Sequence, residues 1–173
     1  GSPAIRSAIA EMYPNATPSN VLVTNGGAEA NFVTSWLLCE PGDDLLYLAP
    51  NYMQVPGMAA NWGCTSIPVP LHEASGWQPD LDELSSRVTD TTKVILVTNP
   101  NNPTGAILTP AAMRRIVEVA DSVGAWIIAD EIYRGAELDG VETPTFWGLY
   151  DKVVVTSGMS KAFGLPGLRI GWT

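Results

Sequence analysis

Lys161 is the residue whose surroundings most suggest chemistry. It follows the apolar run Val153-Val154-Val155 and sits in Ser157-Gly158-Met159-Ser160-Lys161, continued by AFGLPGLRI up to Ile170. A lysine after a strand, amid small and apolar residues, can be desolvated, which lowers its pKa and exposes a nucleophilic amine. Ser157 and Ser160 offer hydroxyls, and Arg169 offers a planar fork suited to phosphate. Two hydrolase patterns fail at this stretch. Ser160 misses the GxSxG elbow because Ala162 replaces the final glycine, and SxxK fails because Gly158 stands three residues before Lys161. With a single histidine, His72, a Ser-His-Asp triad is a poor fit.

Three other clusters carry polar groups with a choice of roles. Asp130 directly follows four apolar residues, Trp126 to Ala129. A carboxylate at a buried strand end needs a partner, which a cationic ring nitrogen or a nearby arginine can supply. Tyr133 fits either a ligand contact or core packing with its hydroxyl satisfied. Asn102, in the Asn99–Gly105 stretch NPNNPTG, can donate an amide to a ligand or close an Asx-turn. Gly26-Gly27 permits a tight turn before a helix starting near Ala28, and helix N-termini present free N–H groups to anions. Neither GxGxxG nor GxxxxGK[ST] occurs, so the Rossmann and P-loop fingerprints are excluded.

The elements that must position these residues alternate between strand and helix. Val21–Val23, Leu45–Leu48, Val94–Val97, Trp126–Ala129 and Val153–Val155 are continuous apolar runs, as parallel strands covered on both faces require. Ile67–Val69 is a weaker run, interrupted by Pro68 and followed by Pro70. Met113, Ile116, Val117, Ala120 and Val123 share one helical face, with Thr109 as N-cap, Pro110 at the first position and Gly124 as the stop. Asp80 and Glu83 have capping-box spacing. This pattern predicts an α/β domain with a mostly parallel sheet. The carboxyl ends of parallel strands share one edge, where open α/β folds bind ligands. Asn25-Gly26-Gly27, Pro50-Asn51-Tyr52, the NPNNPTG loop, Asp130–Tyr133 and Ser157–Lys161 each follow a run there.

Composition narrows the function classes. The chain has 173 residues, enough for one domain, with 46% hydrophobic and 16% charged residues. Its formal net charge of −9 argues against nucleic-acid and anionic-membrane partners. No apolar run reaches the ~18 residues of a membrane span, and no signal-peptide pattern opens the chain. Cys39 and Cys64 form neither a CxxC pair nor a disulfide framework, so no metal is expected and a reducing cytoplasm is the default location.

In this order, GGAEA, PNY, NPNNPTG, DEIY and SK…GLRIGW resemble the class I/II aminotransferases, pyridoxal-phosphate (PLP) enzymes of fold type I. The resemblance spans nearly the whole chain. It implies a three-layer α/β/α large domain with a mostly parallel central sheet. It implies that Lys161 carries the cofactor as a Schiff base, that Asp130 pairs with the pyridine nitrogen, and that Tyr133 and Asn102 hydrogen-bond the ring's phenolic oxygen. Tyr52 matches the aromatic that stacks on the ring. Gly27 and Ala28 match the backbone donors to phosphate, and Arg169 the phosphate-binding arginine eight positions after the lysine. Many relatives carry a phosphate-binding serine three residues before the lysine. Gly158 occupies that position here, which leaves Ser157 or Ser160 to supply the hydroxyl.

The function so implied is transfer of an amino group between an amino acid and a 2-oxo acid. Another fold-type-I PLP enzyme, such as a β-lyase or decarboxylase, shares every motif, and a PLP-binding sensor module without turnover shares them too. Residues 1–173 are expected to be the PLP-binding large domain alone, without the N-terminal arm and small C-terminal domain of relatives. On this expectation the 173 residues by themselves are inactive, no residue can be assigned to grip the substrate carboxylate, and the full-length protein is a homodimer.

Overall fold

The computed structural model describes all residues, Gly1–Thr173. Seven strands form one sheet: β1 (Val23–Thr24), β2 (Asp44–Ala49), β3 (Thr65–Pro70), β4 (Thr92–Thr98), β5 (Trp126–Asp130), β6 (Val153–Gly158) and β7 (Gly171–Trp172). Their order is β1-β7-β6-β5-β4-β2-β3. Strands β2 to β6 run parallel, and β7 is antiparallel to both β6 and β1. The helices are α1 (Pro3–Ala10), α2 (Gly27–Leu38), α3 (Gln54–Asn61), α4 (Leu81–Arg87) and α5 (Pro110–Val123).

The continuous apolar runs are strands buried on both faces, because successive side chains point to opposite sides. Leu46, Leu48, Ile95, Val97, Ile127 and Ala129 face one layer, packed with Leu84 of α4 and Met113 and Ile116 of α5. Leu45, Tyr47, Val94, Leu96 and Ile128 face the other, with Leu38 of α2 and Val55 and Ala59 of α3. The expected three-layer α/β/α architecture is therefore present. No helix is long and apolar enough to cross a membrane.

Local signals explain the main boundaries. Thr109 caps α5, its side chain accepting from Ala112 N–H at 3.1 Å, and Gly124 ends it in the left-handed region at φ 69°. Replacing such a cap by alanine costs about 1 kcal/mol. Asp80 caps α4 through the N–H groups of Asp82 and Glu83, both at 3.0 Å. The reciprocal arm of the expected capping box is absent, because Glu83 turns to Arg87 at 2.6 Å. The first strand is also displaced from the expected Val21–Val23 to Val23–Thr24, where it pairs with β7 rather than with a parallel neighbour. Strand β3 tolerates Pro68 and Pro70 because it lies at the sheet edge.

Helix α2 departs from the usual pattern. Its buried face carries Asn31, Thr34 and Ser35 beside Ala30 and Leu38, whereas Phe32, Trp36 and Leu37 are exposed. The buried polar residues reach other elements: Thr34 meets Thr173, just after β7, at 3.1 Å, and Asn31 meets Asp130, at the end of β5, at 3.0 Å.

Candidate active site

The carboxyl ends of β2, β4, β5 and β6 lie on one edge of the sheet. Strand β7 runs the other way, so the residues leading into it reach the same edge. A cleft of 370 Å³ opens there. Of the residues expected from sequence, Gly27, Ala28, Tyr52, Asn102, Asp130, Tyr133, Ser160, Lys161 and Arg169 all line it.

Asp130 is the buried floor. Its Oδ1 accepts from Ile132 N–H at 3.1 Å and its Oδ2 from Asn31 Nδ2 at 3.0 Å. Burial pushes its carboxyl above the ordinary range, opposed by the Asn31 and Ile132 hydrogen bonds. The ion pairs of the chain are Glu83–Arg87, Arg115–Glu118 and Arg134–Glu142, so no protein cation pairs with this buried carboxylate. A buried charge without a counter-ion is unfavourable, and one facing a cleft is a ready partner for a ligand cation.

The opposite end of the cleft is built for an anion. The first turn of α2 points its N–H groups there, and helix N-termini leave such donors unpaired. Arg169 lies over this turn, its Nη2 at 3.5 Å from the Asn25 carbonyl and its Nη1 at 3.2 Å from the Pro166 carbonyl. Its backbone is left-handed at φ 50°, an uncommon state for a residue with a side chain. The close approach depends on glycine. A Cβ on Gly26 would collide with the Arg169 guanidinium, and one on Gly171 would collide with the Gly26 carbonyl.

Gly158 has a related cause. A Cβ there would stand 3.0 Å from Ile170 O and 3.2 Å from both Gly171 Cα and Gly27 N, all backbone atoms. These contacts are tight, so a serine here requires the neighbouring backbone to give by a few tenths of an ångström. Ser157 does not replace it. Its side chain is buried and donates to Glu131 O at 3.2 Å, away from the cleft, so the expectation that it binds phosphate is corrected. Ser160 is the serine that reaches the lining.

Lys161 stands in the loop after β6, with Nζ 5.7 Å from the centre of the Tyr133 ring. The desolvation expected of it is absent: the residue is exposed, at the mouth of the cleft. Tyr52 is 53% exposed and lines the same mouth. In the NPNNPTG loop, Asn101 does the structural tying, donating to Pro50 O at 3.2 Å and Thr104 Oγ1 at 2.9 Å. Asn102, beside it, lines the cleft.

Sequence reasoning missed Asn31, Gln54 and Thr98, which also line the cleft. Asn31 carried a readable signal. It lies four residues after Gly27, hence on the same helical face, and asparagine is a poor residue for a helix interior. Gln54 gave none. Its Nε2 donates to Ala28 O at 2.7 Å, a contact made between residues far apart in the chain.

Comparison with known proteins agrees with this geometry. The family model for aminotransferase class I and II matches residues 1–173. The chain is 30% identical over 177 residues to a probable aspartate/prephenate aminotransferase of Thermus aquaticus, covering 99% of this chain and 46% of that protein. A PLP-dependent aminotransferase structure from Streptococcus suis superposes with a TM-score of 0.94 at 37% identity, covering 99% of this chain and 46% of that one. Alanine aminotransferase from Pyrococcus furiosus gives a TM-score of 0.91 at 33% identity, covering 99% and 45%. The chain thus spans about half the length of the relatives it matches. With the motifs in order, the fold shared and the cleft lined by the matching residues, this chain belongs to the class I and II aminotransferase family.

Proposed function

We propose that these residues are the cofactor-binding large domain of a PLP-dependent aminotransferase that moves an amino group from an amino acid to a 2-oxo acid. One observation carries the reading: a buried carboxylate without a protein counter-ion, Asp130, shares a cleft with Lys161 and with the anion-seeking turn of α2 and Arg169. The two ends have the opposite charge preferences of a protonated pyridine ring and a phosphate.

PLP supplies the electron sink that makes the α-hydrogen of an attached amino acid acidic. The protein's residues do the rest. Lys161 would hold the cofactor covalently, and its amine would serve as the general base for the α-hydrogen. Asp130 keeps the ring nitrogen protonated. Tyr133 and Asn102 orient the ring through its phenolic oxygen, and Tyr52 covers its face. Gly27, Ala28, Ser160 and Arg169 hold the phosphate. The homodimer belongs to the same reading. Its support is the apolar surface of α2, where Trp36 is 62% and Leu37 is 81% exposed beside Phe32 and Trp62. Trp36→Glu is expected to shift sedimentation from dimer to monomer, and an unchanged dimer removes this face from the interface.

The test of the activity is to express the complete reading frame, add PLP, reduce with borohydride and map the modified peptide. Attachment at Lys161, with oxo-acid formation from an amino donor, is the expected result. Attachment at Lys93 or Lys152 instead overturns the assignment.

A further inference from the structure

We propose that Asn31 is a positioning residue for the reaction: its side-chain amide holds the Asp130 carboxylate in place, and Thr156 fixes which way that amide points. This rests on the reading of Asp130 as the partner of the cofactor's ring nitrogen.

The three side chains form a continuous chain of hydrogen bonds. Thr156 Oγ1 donates to Asn31 Oδ1 at 2.6 Å, and Asn31 Nδ2 donates to Asp130 Oδ2 at 3.0 Å. All three residues are buried, with 1% of Thr156, 4% of Asn31 and 7% of Asp130 exposed. Thr156 is the direct cross-strand neighbour of Asp130 in the β5–β6 register, and Asn31 bridges them from one turn into α2. A hydroxyl has one proton to give. By giving it to Oδ1, Thr156 leaves the NH₂ group for the carboxylate. The reversed amide would set two acceptor oxygens against each other at this distance, a repulsive arrangement in a buried site.

The consequence is that each carboxylate oxygen of Asp130 receives one donor, Asn31 on Oδ2 and the Ile132 N–H on Oδ1. Two donors, one on each oxygen, fix the rotamer and favour the charged form, opposing the rise that burial causes. A neutral Asp130 cannot serve as the anion that keeps a ring nitrogen protonated. Gln54 Oε1 lies 3.5 Å from Asn31 Nδ2, and its Nε2 holds the Ala28 carbonyl, so the support extends towards the first turn of α2.

The test uses the holoenzyme from the complete reading frame and the variants Asn31→Ala, Asn31→Asp, Thr156→Val and Thr156→Ser. Borohydride trapping at Lys161, PLP affinity of the apo-protein, kcat, KM and thermal midpoint are measured for each. Asn31→Ala is expected to lower kcat by about tenfold or more, the weight of a lost hydrogen bond to a charged group, with KM for the amino donor little changed. Asn31→Asp is expected to lower it further, since two facing carboxylates share one proton. Thr156→Val follows Asn31→Ala, and Thr156→Ser recovers most of that loss. Trapping at Lys161 persists throughout. If Asn31→Ala does not fold, the Thr156→Val and Thr156→Ser pair decides. Wild-type kcat and PLP affinity in Asn31→Ala or Thr156→Val, beside an impaired Asp130→Ala, overturn this proposal alone. Absence of Lys161 trapping in the wild-type protein overturns the functional reading and this inference with it.

Discussion

The Arg169 guanidinium occupies the space that a side chain on residue 26 would need, with Cζ 2.9 Å from the position of a Cβ on Gly26. Gly26 is also left-handed at φ 87°, so glycine is required there twice, once for the turn and once for the arginine. Arg169→Ala is therefore expected to weaken PLP binding about tenfold to a hundredfold, the range for losing a charge-assisted contact to phosphate. Gly26→Ala is expected to weaken it as well, with lower stability, by displacing the arginine. Fluorescence titration of the apo-proteins with PLP measures both, and undiminished affinity in Arg169→Ala removes this residue from the phosphate site.

Asp130→Ala is expected to impair turnover more than cofactor attachment. The lysine and the phosphate contacts survive, but the ring loses its counter-ion. A charge-assisted hydrogen bond contributes about 1.5–3 kcal/mol, so kcat falls by about tenfold or more. Steady-state kinetics at saturating PLP decide it, and normal turnover excludes Asp130 from the mechanism.

Gly158→Ser places the residue common in relatives where this chain has none, and it is expected to destabilise rather than to improve phosphate binding. The three backbone atoms within 3.0 to 3.2 Å of the added Cβ belong to Ile170 just before β7, to Gly171 of β7 and to Gly27 at the start of α2, and must give way by a few tenths of an ångström. Such overpacking costs about 1–3 kcal/mol. A thermal midpoint equal to wild type, with tighter PLP binding, contradicts this.

Glu131, next to Asp130, makes a pH-dependent contribution to stability. Burial pushes its carboxyl from an ordinary 4.5 up to about 7, against hydrogen bonds from Phe146 N–H at 2.8 Å and Thr145 Oγ1 at 2.9 Å. The folded state therefore holds a proton that the unfolded chain has released. That contribution is present in full below about pH 4.5 and is lost as pH rises through about 7, amounting to about 3 kcal/mol at most. The raised Asp130 carboxyl acts in the same direction. Urea unfolding of the apo-protein at pH 5 and pH 8 is expected to show a shallower fall for Glu131→Gln than for wild type. Identical slopes would place the titrating group elsewhere.

The sequence by itself determined the five parallel strands β2 to β6, the motif order and most of the lining of the cleft. Short continuous apolar runs bounded by turn residues suit strands covered on both faces, and parallel strands bring the residues after them to a common edge. Asp130, Tyr133, Asn102 and Lys161 were legible for that reason. The tertiary structure decided what depends on residues distant in the chain. Gly158 is glycine because Ile170, Gly171 and Gly27 crowd it, and Ser157 turns inward because Glu131 offers a carbonyl. Arg169 reaches the edge because β7 runs antiparallel. Asn31 shows the limit most clearly. Its spacing from Gly27 set the face, but its role exists only because α2 lays that face against β5 and β6, where an amide meets Asp130 on one side and Thr156 on the other. Local periodicity fixes the direction in which a side chain points, whereas its partners are set by packing between elements.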